Sequence, residues 1–309
     1  MSQRSSDPLM ALLKEHYTDV RLTIVNTAAD LAGIAERKPD LVFLTVKCVP
    51  VDAELGREDP QMVWLADFLD QHGIAYTGSG QEAHELELYK PLAKQRAIDN
   101  GLDTSPFCVV RKESVGMPDS SPLEYPLFIK PSDRGGGLGV DEHSVVHNRL
   151  EADEKIASIA ANHQADALVE EYLSGREFSV AILKHADSDQ FYTMPLELAT
   201  SAEFDGDIMS AEMKAANAEI VLPVTDGKIR EAICTLALNI FHALGARDYG
   251  RIDIKLNADG VPQFLEANLM PSLIDDYGSF PKASMLNENM GWEEMILRIV
   301  RLGLSRATN

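Results

Sequence analysis

The chain has only three cysteines in 309 residues, Cys48, Cys108 and Cys234. They are too far apart for metal-ligand spacing and too few for a disulfide framework, so buried free thiols and a reducing, cytoplasmic setting are expected. Positive charge is also scarce: 28 Lys and Arg stand against 49 Asp and Glu, a net charge of −21. No basic run stands out, which excludes a nucleic-acid-binding face from the expected classes. A few lysines and a bound cation can still focus positive potential on an anionic nucleotide. No apolar run approaches the ~20 residues that cross a membrane, and the start, MSQRSSDPLM, has neither a long apolar core nor a cleavage signal. Internal repeats and low-complexity tracts are missing too. What is present is 45% hydrophobic residues, enough core for two or three units of about 100–200 residues each.

Residues 8–80 read as a small α/β unit. Helical spacing is expected over 9–16, 28–37 and 60–72, with buried strands over 20–26 and 40–46. Strand–helix–strand order implies a parallel sheet. The first two strand ends, NTAAD and KCVPVD, carry no glycine-rich phosphate loop. A helix over 81–100, closed by Gly101, places Lys90 and Lys94 one turn apart on one face. Strands follow at 106–110 and 127–130, then helix 149–161 and strands 167–172 and 178–183. Further on come a strand at 219–223, an amphipathic helix at 228–244 and a closing helix at 292–304.

Three stretches concentrate polar chemistry. In PLFIKPSDRGGGLGV, Lys130 ends a buried strand and Gly135, Gly136, Gly137 and Gly139 follow. Such glycines let backbone N–H groups approach a phosphate, or form nothing more than a flexible turn. The lysine precedes the glycines, so this is not a Walker loop. In LVEEYLSGREFSV, Glu170-Glu171 interrupts an apolar run. Either both carboxylates lie on a sheet edge, or one points inward toward a partner or a donor-rich ligand, since a lone buried carboxylate costs several kcal/mol. In DYGRIDIKLNADGVPQFLEANLMPSL, strict alternation over 251–256 and the turn at 257–260 predict a hairpin. Its pairing would set Arg251, Asp253, Glu266 and Asn268 on one face, with Leu265 and Ala267 on the other. That is a hard, all-oxygen donor set suited to Mg²⁺, or an amphipathic hairpin with an ordinary surface Arg–Asp pair.

These three motifs, in this order and spacing, resemble the ATP-grasp enzymes, and among them the D-alanine–D-alanine ligases and their relatives; the likeness runs from about residue 76 to 273. The resemblance implies an α/β chain, α+β in its ATP-grasp part, with three domains: an N-terminal parallel-sheet domain at 1–80, a central ATP-grasp domain at 81–174 and a C-terminal one at 175–309. It implies an ADP-forming ligase that activates a carboxylate as an acyl phosphate and couples it to an amine, with ATP and Mg²⁺, or Mn²⁺ in its place. Lys90 and Lys130 then resemble the phosphate lysines and Gly135–Gly139 the loop over the phosphates. Glu170, Glu171, Tyr172 and Leu173 resemble the adenine clamp, and Glu177 the ribose ligand. Asp253, Glu266 and Asn268 resemble the metal ligands, Arg251 the oxyanion-stabilising residue, and Lys214 the γ-phosphate lysine of a closing loop. The implied partners are small-molecule substrates and a second copy of the chain, with no nucleic acid or membrane.

The departures bear on the substrate. The sequence reads as beginning at the helix after the family's first strand and glycine-rich loop, so that strand and its amine-holding glutamate are not expected in it. The family's GEDG-type segment survives only as Gly56-Arg57-Glu58-Asp59. Ala215 stands where the family commonly has tyrosine, and Ser272 replaces a glycine, although its backbone N–H keeps the capacity to donate to an oxyanion. Amino acids or small peptides other than the D-alanine pair are therefore expected. The alternatives are D-alanine–D-alanine ligation from an atypical N-terminus and a catalytically silent ATP-binding regulator.

Overall fold

The computed structural model describes residues 3–56, 59–114, 116–199, 220–275 and 277–307. The chain opens with α1 (Gln3–His16), a 3₁₀ turn (Ala28–Leu31) and α2 (Ala32–Arg37). The parallel sheet expected here is reduced to one bridge, Val42 with Tyr76. Residues 20–25 join no ladder, and Leu22 and Ile24 are 56% and 72% exposed. Apolar β-branched residues favour extended backbone, but a strand also needs a neighbour, and among the described residues none pairs with this one. The expected helix at 60–72 is also shorter. β1 (Cys48–Pro50) pairs antiparallel with β2 (Met62–Trp64), and only then does α3 (Leu65–Gln71) begin. The Asp59 carboxylate accepts the N–H groups of Asp52 (2.6 Å) and Gln61 (2.7 Å), which clamps the connection and keeps the backbone after it extended.

The single helix expected over 81–100 is two, α4 (Gln81–Leu88) and α5 (Lys90–Asp99), broken at Tyr89. Pro91 has no N–H to continue the helical ladder, so the chain restarts there. The restart turns Lys90 and Lys94 inward together. β3 (Phe107–Val110), β4 (Leu127–Pro131), β5 (Val145–Val146) and β6 (Ala167–Glu171) make an antiparallel sheet in the order β3-β6-β4-β5. α6 (Arg149–His163) covers one face. Asn148 caps it by accepting the Glu151 N–H at 3.1 Å, and Ala152, Ile156 and Ile159 pack inward against Leu127, Ile129 and Val169.

A second antiparallel sheet runs β11-β10-β7-β8-β9, with β7 at Glu177–Lys184, β8 at Phe191–Ala199, β9 at Ile220–Pro223, β10 at Tyr249–Leu256 and β11 at Pro262–Asn268. α7 (Gly227–Ala243) starts at Asp226, whose carboxylate accepts the N–H groups of Lys228 and Ile229. Its stripe Ile233, Leu236, Ala237 and Ile240 lies on the β10 side chains Ile252 and Ile254. The other face is backed by α8 (Ser279–Glu288) and α9 (Trp292–Ala307), with Phe280, Met295, Ile296 and Ile299 buried against Leu183 and Met194. Arg306 fastens α9 to the N-terminal segment. It grips Asp248 at 2.6 and 2.7 Å and donates to the Tyr76 carbonyl, while Asp248 accepts the Gly78 N–H at 2.9 Å.

The two sheets meet at a backbone seam. Phe264 N–H donates to the Asp103 carbonyl at 2.8 Å, and Gly175 N–H to that of Leu256 at 3.0 Å. A Cβ on Gly175 would sit 2.6 Å from the Leu256 carbonyl oxygen, so only glycine allows the approach.

Candidate active site

The cleft between the sheets takes most of its side chains from the three stretches singled out above, with Lys90, Ser105, Leu198 and residues 277–279 added from elsewhere. In the hairpin, Arg251 lies opposite Asn268 and Asp253 opposite Glu266. The expected common face is therefore real, but a bulge follows Asp253, so Ile254 pairs with Phe264 and Leu265 is the extra residue. Phe264 and Ala267 enter the core, while Leu265 lines the cleft beside Glu266, reversing its expected side.

Arg251 and Asp253 do form a pair, though not a surface one. Nε and Nη2 donate to the two carboxylate oxygens at 2.9 and 2.8 Å, with Asp253 6% exposed. Ser179 adds a hydrogen bond to Oδ1 at 2.8 Å, and Arg251 Nη1 reaches the Ser279 hydroxyl at 3.2 Å. Of roughly four lone-pair sites on a carboxylate, the described residues use three, which leaves one on Oδ2 among them.

Facing them is an ionic cluster. Glu170 is not on an edge: β6 is an inner strand, and the carboxylate is 2% exposed. It accepts from Lys94 at 2.6 Å, Lys130 at 2.9 Å and the Ser105 hydroxyl at 3.2 Å. Burial, the largest influence, opposes its charge, but the two ammonium groups outweigh burial and hold its pKa at about 2. For Lys130 burial again works against charge, yet Glu170, Glu266 and Glu177 keep its pKa above the ordinary lysine value. Lys90 and Lys94 are pushed down by burial, helped by the Lys130 charge and opposed by Glu170 and Glu266. Lys90 donates to the Arg134 carbonyl, which ties it to the glycine-rich loop.

Glu171 points the other way and accepts the Glu124 N–H at 3.2 Å. Glu177 pairs with Lys255 across the ladder, 3.4 Å apart, and the Lys255 ammonium lies 5.4 Å over the Tyr172 ring. Tyr172, Leu173, Phe128, Leu138, Val140 and Leu198 give this end of the cleft apolar walls. Of the predicted glycines, Gly137 lines the cleft. Gly139, at φ +79°, packs where a Cβ would meet the Pro131 ring at 2.6 Å. Ser272 lines the far end with Tyr277, Gly278 and Ser279. Asn268 sits on the hairpin face with its Oδ1 taken by the Met270 N–H at 3.3 Å. Lys214, Ala215, Arg57 and Glu58 lie outside the described residues.

Several wall residues were not predicted as site residues. Lys255 was within reach, since it follows Arg251 and Asp253 at period two. Lys94, fully buried behind the wall, shared a predicted face with Lys90. Leu198, Leu265 and Ser279 come from an unpredicted strand, a bulge and an unpredicted helix. Among the described residues no group of three or more His, Cys, Asp or Glu could hold a metal. Two opposed carboxylates with a spare lone pair and an amide nearby fit a hard cation that takes its other ligands from phosphate and water.

A cleft of clustered lysines opposite paired carboxylates, held between two antiparallel sheets, is the layout of a nucleotide-dependent ligase of the ATP-grasp fold. Two crystal structures of D-alanine–D-alanine ligase from Bacillus anthracis, one complexed with ATP, share the fold over the whole chain and 96% of theirs, with TM-scores of 0.74 and 0.77 at 18% and 20% identity. The family model for the D-ala D-ala ligase C-terminus matches residues 97–301. The uncharacterized protein y4sG of Sinorhizobium fredii is 31% identical over 209 residues, covering 66% of this chain and 60% of that protein. D-alanine–D-alanine ligases of Geobacter sulfurreducens and Hydrogenovibrio crunogenus are 28% and 27% identical over 273 and 310 residues, covering 82% and 98% of this chain and 82% and 90% of theirs. The chain belongs to the D-Ala-D-Ala ligase family of ATP-dependent, C–N bond-forming ligases.

Proposed function

We propose that the protein is an ADP-forming ligase that phosphorylates a substrate carboxylate with ATP and couples the acyl phosphate to an amine, its substrates being amino acids or small peptides. The observation that carries this reading is the facing of Asp253 and Glu266 across one ladder opposite Lys90 and Lys130. In this reading units 81–174 and 175–309 hold ATP between them. Lys90 and Lys130 bind phosphate oxygens, Tyr172 and Leu173 with the apolar walls hold the base, and Glu177 holds the ribose. Glu170 acts by keeping Lys130 charged and in place.

Asp253 and Glu266, with Asn268, would hold Mg²⁺, which supplies charge neutralisation at the transferred phosphate. The substrate carboxylate oxygen bonds to the γ-phosphorus as the bond to the ADP oxygen breaks. The amine then adds to the acyl carbon, and the oxyanion forms beside Arg251 and the Ser272 N–H. Collapse expels inorganic phosphate, and the amine proton goes to solvent or phosphate. The glycine loop over the phosphates limits loss of the acyl phosphate to water.

A second reading, synthesis of D-alanyl-D-alanine, is favoured by similarity over 82% and 98% of the chain to two proteins named for it. A catalytically silent ATP binder is disfavoured by the intact set Arg251, Asp253 and Glu266. Phosphate release from Mg-ATP, measured against paired L- and D-amino acids with mass spectrometry of active pairs, tests all three. A mixed or L-amino acid product supports the proposal, D-alanyl-D-alanine alone supports the second reading, and bound ATP without turnover supports the third.

A further inference from the structure

A second cavity, of about 160 Å³, lies behind Ser272, which lines both it and the nucleotide cleft. Its walls include Phe43, Leu44, Tyr249, Ile274, Trp292 and Ile296. Trp292 Nε1 is engaged by the Leu273 carbonyl at 2.6 Å. Apart from the hydroxyls of Thr45, Ser272 and Tyr249, the side chains around the cavity are apolar, next to a site full of charge.

Its position follows from β10. Tyr249, Arg251 and Asp253 alternate on one strand, opposite Leu183, Ala181 and Ser179 of β7, so all three share one sheet face. Along that face chemistry changes in order, from Asp253 at the phosphate end, through Arg251, to the apolar wall at Tyr249. At ~3.3 Å per residue, Tyr249 begins about 7 Å beyond Arg251. A substrate whose acyl carbon reacts beside Arg251 would send a substituent this way. An apolar cavity of roughly 150 Å³ accommodates a benzene-sized molecule, whereas a methyl group leaves most of such a space unfilled.

We propose that this cavity is the side-chain pocket for one of the two substrates, and that the substrate is an amino acid with an apolar side chain of leucine to phenylalanine size. The assignment rests on the ligase reading above. Each methylene buried or missing in a hydrophobic enzyme pocket changes specificity by about 10–200-fold. The wild-type enzyme then prefers leucine or phenylalanine, in the enantiomer it accepts, over alanine by at least about tenfold in kcat/KM.

The test compares phosphate release with alanine, leucine and phenylalanine, both enantiomers of each, for wild type, Ile274→Phe and Ile274→Ala. Ile274 is half-buried on the loop side of the cavity, so the larger ring fills it and alanine widens it. Ile274→Phe is expected to lower the leucine-to-alanine ratio at least about tenfold, and Ile274→Ala to shift preference toward phenylalanine. Turnover with alanine equal to or better than with leucine would leave the ligase reading standing and overturn the pocket. If no pair releases phosphate, thermal shifts of the Mg-ATP complex decide the pocket separately. A melting-temperature rise with leucine or phenylalanine that Ile274→Phe abolishes supports it, and no rise with either overturns it.

Discussion

Replacing Glu170 by glutamine tests the electrostatic heart of the cleft. The substitution keeps side-chain shape and one acceptor oxygen but removes the charge. Lys94, fully buried, and Lys130, 8% exposed, then hold ammonium groups 2.6 and 2.9 Å from where a neutral amide stands. Glutamine also introduces an NH₂ donor that opposes a cation. Removing one partner of a buried ion pair costs about 3–5 kcal/mol, because the remaining charge stays desolvated. For a chain of this size that is a melting-temperature fall of roughly 10 °C. The KM for ATP should rise as well, since Lys130 loses the anion that most supports its charge. A Lys94→Met/Glu170→Gln double variant removes one stranded ammonium, and its loss should be smaller than the sum of the single losses by at least about 1 kcal/mol. Thermal unfolding by circular dichroism, with ATP titrations on the same proteins, measures all of this. A fall of less than about 2 °C for the single variant, with strictly additive double-variant behaviour, would refute the claim that Glu170 anchors the two lysines.

Four further outcomes are expected. Because the Glu170 carboxyl is held at about 2, below the unfolded carboxylate value, its contribution is fully present above ~4.5 and is lost as pH falls toward ~2. The loss is on the order of 3 kcal/mol, so the gap in denaturant midpoint between wild type and Glu170→Gln should be full at about pH 6 and narrower at about pH 3; an unchanged gap would contradict it. Glu266→Gln should lower turnover by orders of magnitude while ATP binding weakens only in part, and near-normal turnover would discard the metal assignment. Arg251→Ala should lower kcat roughly 10²–10³-fold with a smaller change in the KM for ATP, whereas equal effects on both would make it a binding residue. Arg306→Ala leaves buried Asp248 with the Gly78 N–H as its remaining named backbone donor; it should cost about 2–3 kcal/mol in a denaturant titration, and no change would show that α9 is held by packing alone.

The hairpin was the most legible part of the site because its signals are local. Alternation at 251–256 and the Asn257–Gly260 turn set the pairing, and pairing sets which side chains share a face. The bulge at Leu265 was not legible, because Leu265 reads as one more apolar residue until Phe264 is seen to occupy the core. Glu170 shows the opposite case. Its inward direction was one of two alternatives, but its partners come from α5 and β4, 76 and 40 residues away in sequence, and no local pattern names them. β8 was missed because Pro195 and Glu197 interrupt its apolar pattern. Among the described residues β9 pairs only with 196–199, so Pro195 stands where β8 has an open edge, the setting in which a sheet tolerates proline. In the N-terminal segment local propensity misled, since residues 20–26 have strand composition but no partner strand among the described residues.

The most direct test of the central claim is product analysis of ATP turnover across the amino-acid matrix, with nucleotide, phosphate and amide read from the same reaction. The account predicts ADP, inorganic phosphate and one new amide in equal amounts, all lost together in Glu266→Gln. AMP and pyrophosphate, or ADP formed without any amide across the whole matrix, would contradict it.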